Sequence, residues 1–511
     1  MTFVLALKHF TKAIVNRCLP SRKILLDSDI LHKIESSLNH PLFFEFPVGA
    51  TLNDDLSVVF LNGKRSWDLR ARLSDLFRYF FNRYRQPFSG LINYDQLKGK
   101  KLFTLLFDRD DLKGLIFPVM DNYPLQESFL FVTTPSMKEQ FKDKNAITWD
   151  ELATVDMNKW RKEFDRCEPV WKKRLSEILT ENLIPIYVVR FLMARLQVQT
   201  QRIMAASEFF DRAFPQIIIT EYDRNASSSC LVIAAKNKGI PSITMIHGAA
   251  IAPPPRYGFV PVLADHVCCW GSRHKENFIE HGVNERKLNV TGCQAIKPCV
   301  ESNKLATLSN IGFTGDAPVA MLATSPIFPA EKFEYTSKFC EAMSQLAMYR
   351  SIVRLHPAES LSEYKDLIEK YPNVTFIKND SLSKDEALSV ADIVVVHESS
   401  FGVDALLKGS VVIVFDALNH QSFTQLMIGK ELIEKAGCPS PTSASDLADV
   451  IREVTSNSEI RNTLVANAKS YAESYCKFYE QDAANEVTRL IDHVLIKYDI
   501  NGNNAIGKSE L

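Results

Sequence analysis

The sequence has no CxxC pair and no cluster of histidines, although it contains 10 cysteines and 11 histidines. A structural zinc site needs several such ligands at close spacings, so we predict no metal site. Scattered cysteines are typical of a reducing compartment. Cys268 and Cys269 lie in a strand-like run, where thiols behave as small apolar groups. We therefore expect a cytoplasmic protein that binds no metal and no other cofactor.

An excess of charge of one sign is also missing. The 60 Lys and Arg residues oppose 61 Asp and Glu residues, and the formal net charge is -1. Proteins that bind nucleic acid through their overall field carry a strong positive excess. We therefore expect no nucleic-acid partner, and any site for an anion has to be local.

Long hydrophobic runs are absent as well. The most apolar helical stretch, residues 183–198, contains Pro185, Arg190 and Arg195. It is also shorter than the ~20 residues that a membrane span requires. The apolar run after Met1 ends at Lys8, too early for the core of a signal peptide. The sequence therefore predicts neither a spanning helix nor a secretory signal.

Two stretches in the first hundred residues combine apolar and basic side chains. Residues 2–23 contain several Lys and Arg and no acid, with Phe3, Leu7 and Phe10 at helical spacing. Such a helix can lie on an anionic membrane, which would place the protein peripherally on the inner membrane, or pack on its own domain. Residues 67–85 predict a helix with a stripe of aromatic residues and several arginines. We expect the aromatics to be core and the arginines to face solvent, an acidic acceptor or lipid phosphate.

Short apolar runs alternate with helical patterns through most of the chain, which is typical of parallel sheets covered by helices. A length of 511 residues is too great for one core, so two domains are expected. The predicted limits are 1–300 for an N-terminal Rossmann-like domain with a helical insertion, 317–480 for a second Rossmann-like domain, and 481–511 for a last helix and tail. The clearest predicted strands are 217–220, 242–246, 265–270, 287–291, 318–323, 351–355 and 393–396.

Polar residues follow several of these strands, where open α/β sheets bind their ligands. Arg354 and His356 end one strand and, two residues apart, share a face if the strand continues. Ser399 and Ser400 stand where the next strand turns into a helix, and two hydroxyls beside a helix start suit a phosphate. An ordinary helix cap is the alternative for these serines.

Two further residues are assigned to the same edge. Glu398 is expected to take a ribose hydroxyl, and Ser325, in the loop after the strand 318–323, is a further candidate phosphate contact. Together with Arg354, His356, Ser399 and Ser400 they make up the predicted nucleotide site of the second domain.

The series Arg354-x-His356-Pro357 followed by Ser399-Ser400 resembles the HP and SS motifs of bacterial sialyltransferases and capsular Kdo transferases. These enzymes have the GT-B fold, two Rossmann-like domains facing a cleft, and use CMP-activated sugars. The resemblance implies that fold here, with extra N-terminal helices, and implies that His356, Ser399 and Ser400 contact the nucleotide. The order of strands and turns from residue 217 to 292 also resembles GT-B enzymes and the related UDP-GlcNAc 2-epimerases.

An inverting sugar transfer requires a base for the acceptor hydroxyl and groups that hold the departing phosphate. Asp223 is the first candidate for the base, because it follows a strand end, and Glu221 is the second. The alternatives for Asp223 are a cap on the helix that starts near Ser227 and a pair with Arg224. His247 follows another strand and is expected to contact the sugar carboxylate or the acceptor, with a histidine in a tight turn as the alternative.

These features predict a metal-independent, inverting GT-B glycosyltransferase, with His356 and the base as its catalytic residues. The expected donor is CMP-Kdo or a CMP-sialic-type sugar, and the expected acceptor is a surface polysaccharide, an oligosaccharide or a glycolipid. A UDP-sugar transferase, a CDP-glycerol-type polymer transferase or a UDP-GlcNAc 2-epimerase fits the same skeleton. A non-catalytic GT-B-like protein that binds glycan is the alternative from another class.

Overall fold

The computed structural model describes most of the chain between residues 28 and 500. The described residues are 28–52, 69–84, 90, 92–97, 102–105, 113–123, 129–141, 145–182, 184, 187–221, 223–246, 260–296, 304–325, 331–357, 359–378, 380–418 and 427–500. The predicted helix within 2–23, the predicted tail and the candidate site residue His247 lie outside them.

Twelve strands among these residues form two parallel sheets. The first sheet has seven strands in the order β3-β2-β1-β4-β5-β6-β7, and the second has five in the order β10-β9-β8-β11-β12. The strands are β1 (Leu102–Leu105), β2 (Phe129–Thr133), β3 (Ala146–Thr148), β4 (Ile217–Thr220), β5 (Ser242–Met245), β6 (His266–Cys269), β7 (Leu288–Val290), β8 (Val319–Ala323), β9 (Arg350–Arg354), β10 (Val374–Ile377), β11 (Ile393–Val396) and β12 (Val411–Val414).

Both sheets start near their middle, run outward to one edge and then return to the other side of the first strand. This is the doubly wound, Rossmann-like topology that the sequence predicts. The predicted strands 217–220 and 393–396 have the observed bounds of β4 and β11, and the other strands given above differ by one residue at one end or at both. Both β4 and β11 are buried at every position, as parallel strands covered on both faces should be.

Helices cover both sheets. The first group precedes residue 300 and consists of α1 (Ser28–Leu38), α2 (Leu69–Tyr84), α3 (Lys113–Asp121), α4 (Pro135–Lys138), α5 (Trp149–Leu152), α6 (Met157–Glu181), α7 (Val188–Ala213), α8 (Ser228–Asn237) and α9 (Ser272–Glu280). The second group consists of α10 (Lys304–Asn310), α11 (Lys332–Ser344), α12 (Lys365–Lys370), α13 (Lys384–Val390), α14 (Phe401–Leu407), α15 (Met427–Ala436), α16 (Ala444–Ser456), α17 (Ser458–Tyr475) and α18 (Glu480–Ile500).

We call the seven-stranded sheet with α1–α9 the N-terminal lobe, and the five-stranded sheet with α10–α17 the C-terminal lobe. Helix α18 returns from the second lobe to the first and packs on α3, where Asn122 donates to Asn485 at 3.0 Å and to Thr488 at 3.2 Å. The domain limits at 300, 317 and 480 stay predictions.

The long helices α6 and α7 lie between β3 and β4 of the N-terminal lobe. The sequence predicts one helical segment over 170–214 with a break near Pro185, and the structure ends α6 at Glu181 and starts α7 at Val188. Asp156 caps α6 by accepting from the amides of Asn158 and Lys159, both at 3.0 Å. Trp160 and Trp171, both fully buried, form part of the core between these helices and the sheet.

One prediction for the N-terminal helices is wrong. The aromatic residues of 67–85 were expected in the core, but Phe77, Phe80 and Phe81 of α2 are 68%, 55% and 49% exposed. The opposite face of α2 packs on the protein instead, where Tyr79 lies against the hydrophobic core and polar contacts hold the helix. Asn82 donates to the carbonyl of Ala194 at 3.2 Å. Hydrogen bonds of this kind hold α2 on α7 and leave the aromatic face outward.

The two lobes meet beside the carboxyl ends of β6 and β7. The amide of Lys477 donates to the carbonyl of Trp270 at 2.9 Å, and the amide of Cys293 donates to the carbonyl of Phe478 at 2.9 Å. A Cβ atom at Gly271 would lie 2.2 Å from the carbonyl oxygen of Ser474. Only glycine therefore allows the turn after β6 to approach the α17–α18 connection this closely.

Candidate functional site

The carboxyl edge of the second sheet carries most of the predicted site residues. Strand β8 lies between β9, which ends at Arg354, and β11, which ends at Val396. The chain reverses its direction of growth between β8 and β11, which is the topological switch point of this lobe. In open α/β sheets ligands bind in the crevice at such a point. The HP and SS segments therefore follow the strands on either side of β8.

His356 is anchored to the end of β8. Its amide donates to Thr324 Oγ1 at 2.8 Å and to Glu359 Oε2 at 3.1 Å. Glu359 is buried and also accepts from the hydroxyl of Tyr364 at 3.0 Å. These bonds fix the backbone of His356, while its side chain stays half-buried at the edge. Ser325, the residue after Thr324, is half-buried at the same edge.

Arg354 joins the two motif segments. Its guanidinium carbon lies 5.1 Å from the ring centroid of Phe401, the first residue of α14, in a cation–π contact. Arg354 is buried, and this burial lowers its pKa, with the nearby Asp404 acting in the opposite direction. The sequence assigns Arg354 to nucleotide binding; the structure places it beneath the edge, between the HP strand and the helix after Ser400.

Ser399 and Ser400 differ in what their side chains do. Ser399 Oγ accepts from the amide of Phe401 at 3.3 Å, and Ser399 O accepts from the amide of Gly402 at 3.1 Å. The first amides of α14 are thus held by Ser399. Ser400 is the N-cap residue, it is exposed, and its side chain makes no capping hydrogen bond. Any phosphate contact here would therefore come chiefly from the two hydroxyls.

Gly402 explains why α14 can lie so close to the sheet. A Cβ atom at this position would lie 2.9 Å from Val396 Cγ2 and 2.9 Å from Leu432 Cδ1. Contacts this short do not occur between real side chains, so a larger residue would require Val396, Leu432 or α14 itself to shift. The glycine of the SSFG segment therefore sets the position of the two serines relative to the strand end.

Glu398 has a structural role that the sequence did not reveal. It is fully buried, and its carboxylate accepts from the amide of Ile428 at 2.5 Å and from the amide of Gly429 at 3.1 Å. Both amides belong to the first turn of α15, so Glu398 caps that helix with a negative charge. Its expected contact with a ribose hydroxyl stays a prediction.

The candidate bases lie in the N-terminal lobe, after β4. Asp223 is buried, and its Oδ2 accepts from the amides of Leu263 and Ala264 at 2.8 and 2.7 Å. Burial raises the pKa of Asp223, while the amide of Ala264 and the charge of Arg224 lower it. Glu221 is fully buried as well. All contacts of Asp223 among the described residues lie within its own lobe, so the structure does not bring it against His356 or Ser399.

Neither structural alternative accounts for the hydrogen bonds of Asp223, and Arg224 acts on it only through its charge. Asn225 makes the turn into α8 instead, since its Oδ1 accepts from the amides of Ser227 and Ser228 at 2.9 and 2.7 Å. Arg224 pairs with Glu35 of α1 at 2.9 Å and is fully buried. Asp223 therefore fixes the segment that leads into β6.

The lobes are joined by a buried ion pair that no sequence pattern predicted. Arg273 of α9 contacts Glu431 of α15 through Nε–Oε1 at 2.6 Å and Nη2–Oε2 at 3.0 Å. Both residues are buried, and the bond to Glu431 raises the pKa of Arg273. Tyr471 adds a hydrogen bond to Glu431 at 3.4 Å. The two residues are 158 positions apart, so only the fold brings them together.

A cavity of about 570 Å³ lies by the edge strand β3, far along the sheet from β6 and β7, and is lined by residues such as Lys138 and Glu151. It contains none of the predicted site residues. Within the described ranges, no group of three or more His, Cys, Asp or Glu side chains could hold a metal ion. No helix described in the structure is long and apolar enough to cross a bilayer.

The fold has counterparts among solved structures. A putative UDP-N-acetylglucosamine 2-epimerase from Listeria monocytogenes superposes with a TM-score of 0.50 at 14% identity, over 79% of this chain and 98% of that chain. The chain has the GT-B fold. No protein-family model and no curated protein sequence matches it.

Two further structures superpose more loosely and add nothing to that conclusion. UDP-GlcNAc 2-epimerase from Neisseria meningitidis has a TM-score of 0.44 at 13% identity, over 78% of this chain and 100% of its own. The wall teichoic acid polymerase TagF has a TM-score of 0.47 at 11% identity, over 84% and 98% of the two chains.

Proposed function

We propose that the chain is a glycosyltransferase that binds a nucleotide-activated sugar at the carboxyl edge of the C-terminal sheet. The observation that carries the proposal is the contact between Arg354 and Phe401, which joins the HP and SS segments across the end of β8. The bond from the His356 amide to Thr324 supports the proposal, because it fixes the backbone of His356 at the same switch point. There the imidazole of His356 and the hydroxyls of Ser399 and Ser400 would act together. These are groups that hold the phosphate of a departing nucleotide.

The proposed donor is CMP-Kdo or a CMP-sialic-type sugar, because of the resemblance of the HP and SS segments. His356 would donate to the phosphate as the bond to the sugar breaks, and Ser399 and Ser400 would hold the same group. Asp223, with Glu221 as the second candidate, would take the proton of the acceptor hydroxyl from the N-terminal lobe. The acceptor would be an oligosaccharide or lipid-linked glycan, and the reaction would occur in the cytoplasm.

A second candidate is a UDP-GlcNAc 2-epimerase-like activity. It is favoured by the fold of the Listeria structure, whose printed name is that of a putative UDP-N-acetylglucosamine 2-epimerase. In the two-lobed skeleton the same carboxyl edge would bind UDP, and Asp223 and Glu221 would act as acid and base on the sugar ring. A CDP-glycerol-type polymer transferase would use the same edge with a third nucleotide.

The test is a donor panel with the purified chain. CMP-Kdo, CMP-sialic acid, UDP-GlcNAc and CDP-glycerol are each incubated with and without a glycan acceptor, and nucleotide release and sugar products are separated by chromatography. The proposal predicts CMP release from a CMP-sugar. Conversion of UDP-GlcNAc without acceptor would instead support the epimerase. A chain that converts no donor, yet binds glycan, would contradict both and support the non-catalytic alternative.

The variants His356→Ala and His493→Ala localise the activity. His493 is an exposed histidine on α18, close to His266 at the amino end of β6 and so away from the carboxyl edges. We expect His356→Ala to slow nucleotide release by about a hundredfold, as general acid–base groups do when removed. We expect His493→Ala to match the unmodified chain, and an equal rate in both variants would exclude the proposed site.

A further inference from the structure

Helix α2 presents an apolar face to solvent. Phe77, Phe80 and Phe81 are 68%, 55% and 49% exposed, and Leu73 is 43% exposed. These residues stand at i, i+4, i+7 and i+8 and therefore share one face of the helix. The rings of Phe77 and Phe81 stack on each other with centroids 5.8 Å apart. We call Leu73, Phe77, Phe80 and Phe81 the aromatic face.

The other face of α2 fixes the orientation of the helix. The aromatic face cannot turn inward unless the polar bonds of that other face break. Asp75 is buried. Arg83 contacts Glu168 of α6 at 3.1 Å, and the hydroxyl of Tyr79 donates to the same carboxylate. Gln201 of α7 donates to the carbonyl of Asn82 at 3.0 Å. Several polar bonds to two helices would have to break to bury the phenylalanines.

The charged side chains of α2 that lie beside the aromatic face are basic. Arg78 is exposed and forms no ion pair among the described residues. Arg72 is exposed too, and its guanidinium carbon lies 4.3 Å from the ring centroid of Tyr187. The acidic residue of the helix, Asp75, lies on the buried side. The outward side of α2 is therefore apolar at its centre and positive at its flanks. Contiguous apolar surface of this kind marks an interaction site on a soluble protein.

We propose that the aromatic face of α2 lies on an anionic lipid surface. A helix with aromatic and aliphatic residues on one side and arginine beside them matches the interface between lipid headgroups and acyl chains. The stretch 2–23, which has Lys and Arg but no acid, points to the same partner, since an anionic surface attracts both stretches. Residues 2–23 and the flanks of α2 both carry positive charge and repel each other. We therefore do not expect residues 2–23 to cover the aromatic face. This inference does not depend on the nucleotide site.

Vesicle sedimentation with the full chain tests the inference. Vesicles of equal parts phosphatidylglycerol and phosphatidylcholine are compared with vesicles of phosphatidylcholine alone. We expect binding to the anionic vesicles that weakens as salt is raised. The double variant Phe77→Ser/Phe81→Ser should bind at least about tenfold more weakly, because two aromatic side chains no longer enter the interface. Arg78→Gln should weaken binding to the anionic vesicles alone.

A matched control keeps the test specific. Phe214 and Met348 are 75% and 72% exposed but lie at other places on the surface. The double variant Phe214→Ser/Met348→Ser should bind vesicles as the unmodified chain does. Because all four residues are exposed, thermal melts of the variants should coincide with that of the unmodified chain.

Three results would overturn the inference. The unmodified chain could fail to bind anionic vesicles, or Phe77→Ser/Phe81→Ser could bind them as well as the unmodified chain, which would assign binding to another segment. Light scattering could also show a dimer that Phe77→Ser/Phe81→Ser abolishes, without any vesicle binding. The aromatic face would then contact a second copy of the chain.

Discussion

Arg273 and Glu431 form a buried, bidentate ion pair between the two lobes, with N–O distances of 2.6 and 3.0 Å. Glu431 belongs to α15, and the first turn of that helix is capped by Glu398. Glu398 in turn precedes Ser399 at the end of β11. The carboxylates of Glu431 and Glu398 therefore connect α9 of the N-terminal lobe, through α15, to the proposed donor edge.

Removing one partner of the interlobe pair should destabilise the protein strongly. Arg273→Gln leaves the buried Glu431 carboxylate without its cation, which costs about 3–5 kcal/mol. In Glu431→Gln the Arg273 guanidinium keeps Glu280 at 3.5 Å and Glu276 at 3.7 Å, so the loss should be smaller. Urea unfolding measures this loss. The double variant Arg273→Gln/Glu431→Gln should lose less than the sum of the single variants, because neither charge remains buried. Lys365→Gln, which breaks the exposed pair with Glu369, should change stability by less than about 0.5 kcal/mol. If the double variant loses as much free energy of unfolding as the two single variants together, the interaction between Arg273 and Glu431 does not stabilise the protein.

Glu398→Gln should loosen the start of α15. The substitution removes the negative charge that accepts from two backbone amides, and charged hydrogen bonds of this type contribute about 1.5–3 kcal/mol. We expect faster amide hydrogen exchange at Ile428 and Gly429 together with a lower urea midpoint. Glu434→Gln, on the exposed side of the same helix, is the control. Unchanged exchange at the two amides would contradict the capping role.

The variant Asp223→Asn distinguishes a catalytic role of this carboxylate from a purely structural one. The asparagine oxygen can still accept from Leu263 and Ala264, so the fold should survive. If Asp223 is the base, the rate of sugar transfer should fall by about 10²–10⁴-fold with little change in the binding of the nucleotide. Burial raises the pKa of Asp223, so the rate of the unmodified enzyme should rise with pH as this carboxyl ionises. Asp223→Asn should lack that rise.

If Asp223→Asn transfers sugar as fast as the unmodified enzyme, Asp223 has only a structural role, and Glu221 becomes the candidate base. Glu221→Gln is therefore measured beside it, under the same conditions.

His274 should make stability depend on pH. It is fully buried between Trp270 and Tyr475 at the lobe contact, and burial, followed by the charge of Arg273, lowers its pKa to about 3. In the unfolded chain a histidine titrates near pH 6.5. Between about pH 6.5 and pH 3 the unfolded state therefore binds a proton that the folded state does not, and stability falls as pH falls, by up to about 1.4 kcal/mol per pH unit.

The variant His274→Asn isolates this effect, because its side-chain oxygen can still accept from the amide of Trp270. From pH 7 to pH 5 the unmodified chain should lose about 2 kcal/mol more than the variant in urea unfolding. Equal losses would show that His274 is accessible to protons in the folded state.

The sequence predicted the sheets well, because their strands are continuous apolar runs bounded by turn residues. The bounds of β4 and β11 were predicted to the residue, and the polar residues after β9 and β11 were placed at one edge. Parallel strands must end on the same edge of a sheet, so this part of the candidate site follows from the pattern alone.

Other parts of the site could not be predicted, for physical reasons. An acid after a strand can bind a ribose or cap a helix, and the sequence does not show that the first turn of α15 lies against Glu398. The partners Arg273 and Glu431 are far apart in sequence and have no local signal. The periodicity of α2 identified an aromatic face but not its direction, since the contacts that decide it are polar ones made by Tyr79, Asn82 and Arg83.

Calorimetric titration of CMP into the unmodified chain and into His356→Ala and His493→Ala tests the central claim most directly. The account predicts that the unmodified chain and His493→Ala bind CMP alike, and that His356→Ala binds at least about tenfold more weakly, since a hydrogen bond to a charged group contributes about 1.5–3 kcal/mol. Equal affinity of all three proteins for CMP, or no binding of CMP or any other nucleotide by the unmodified chain, would contradict it.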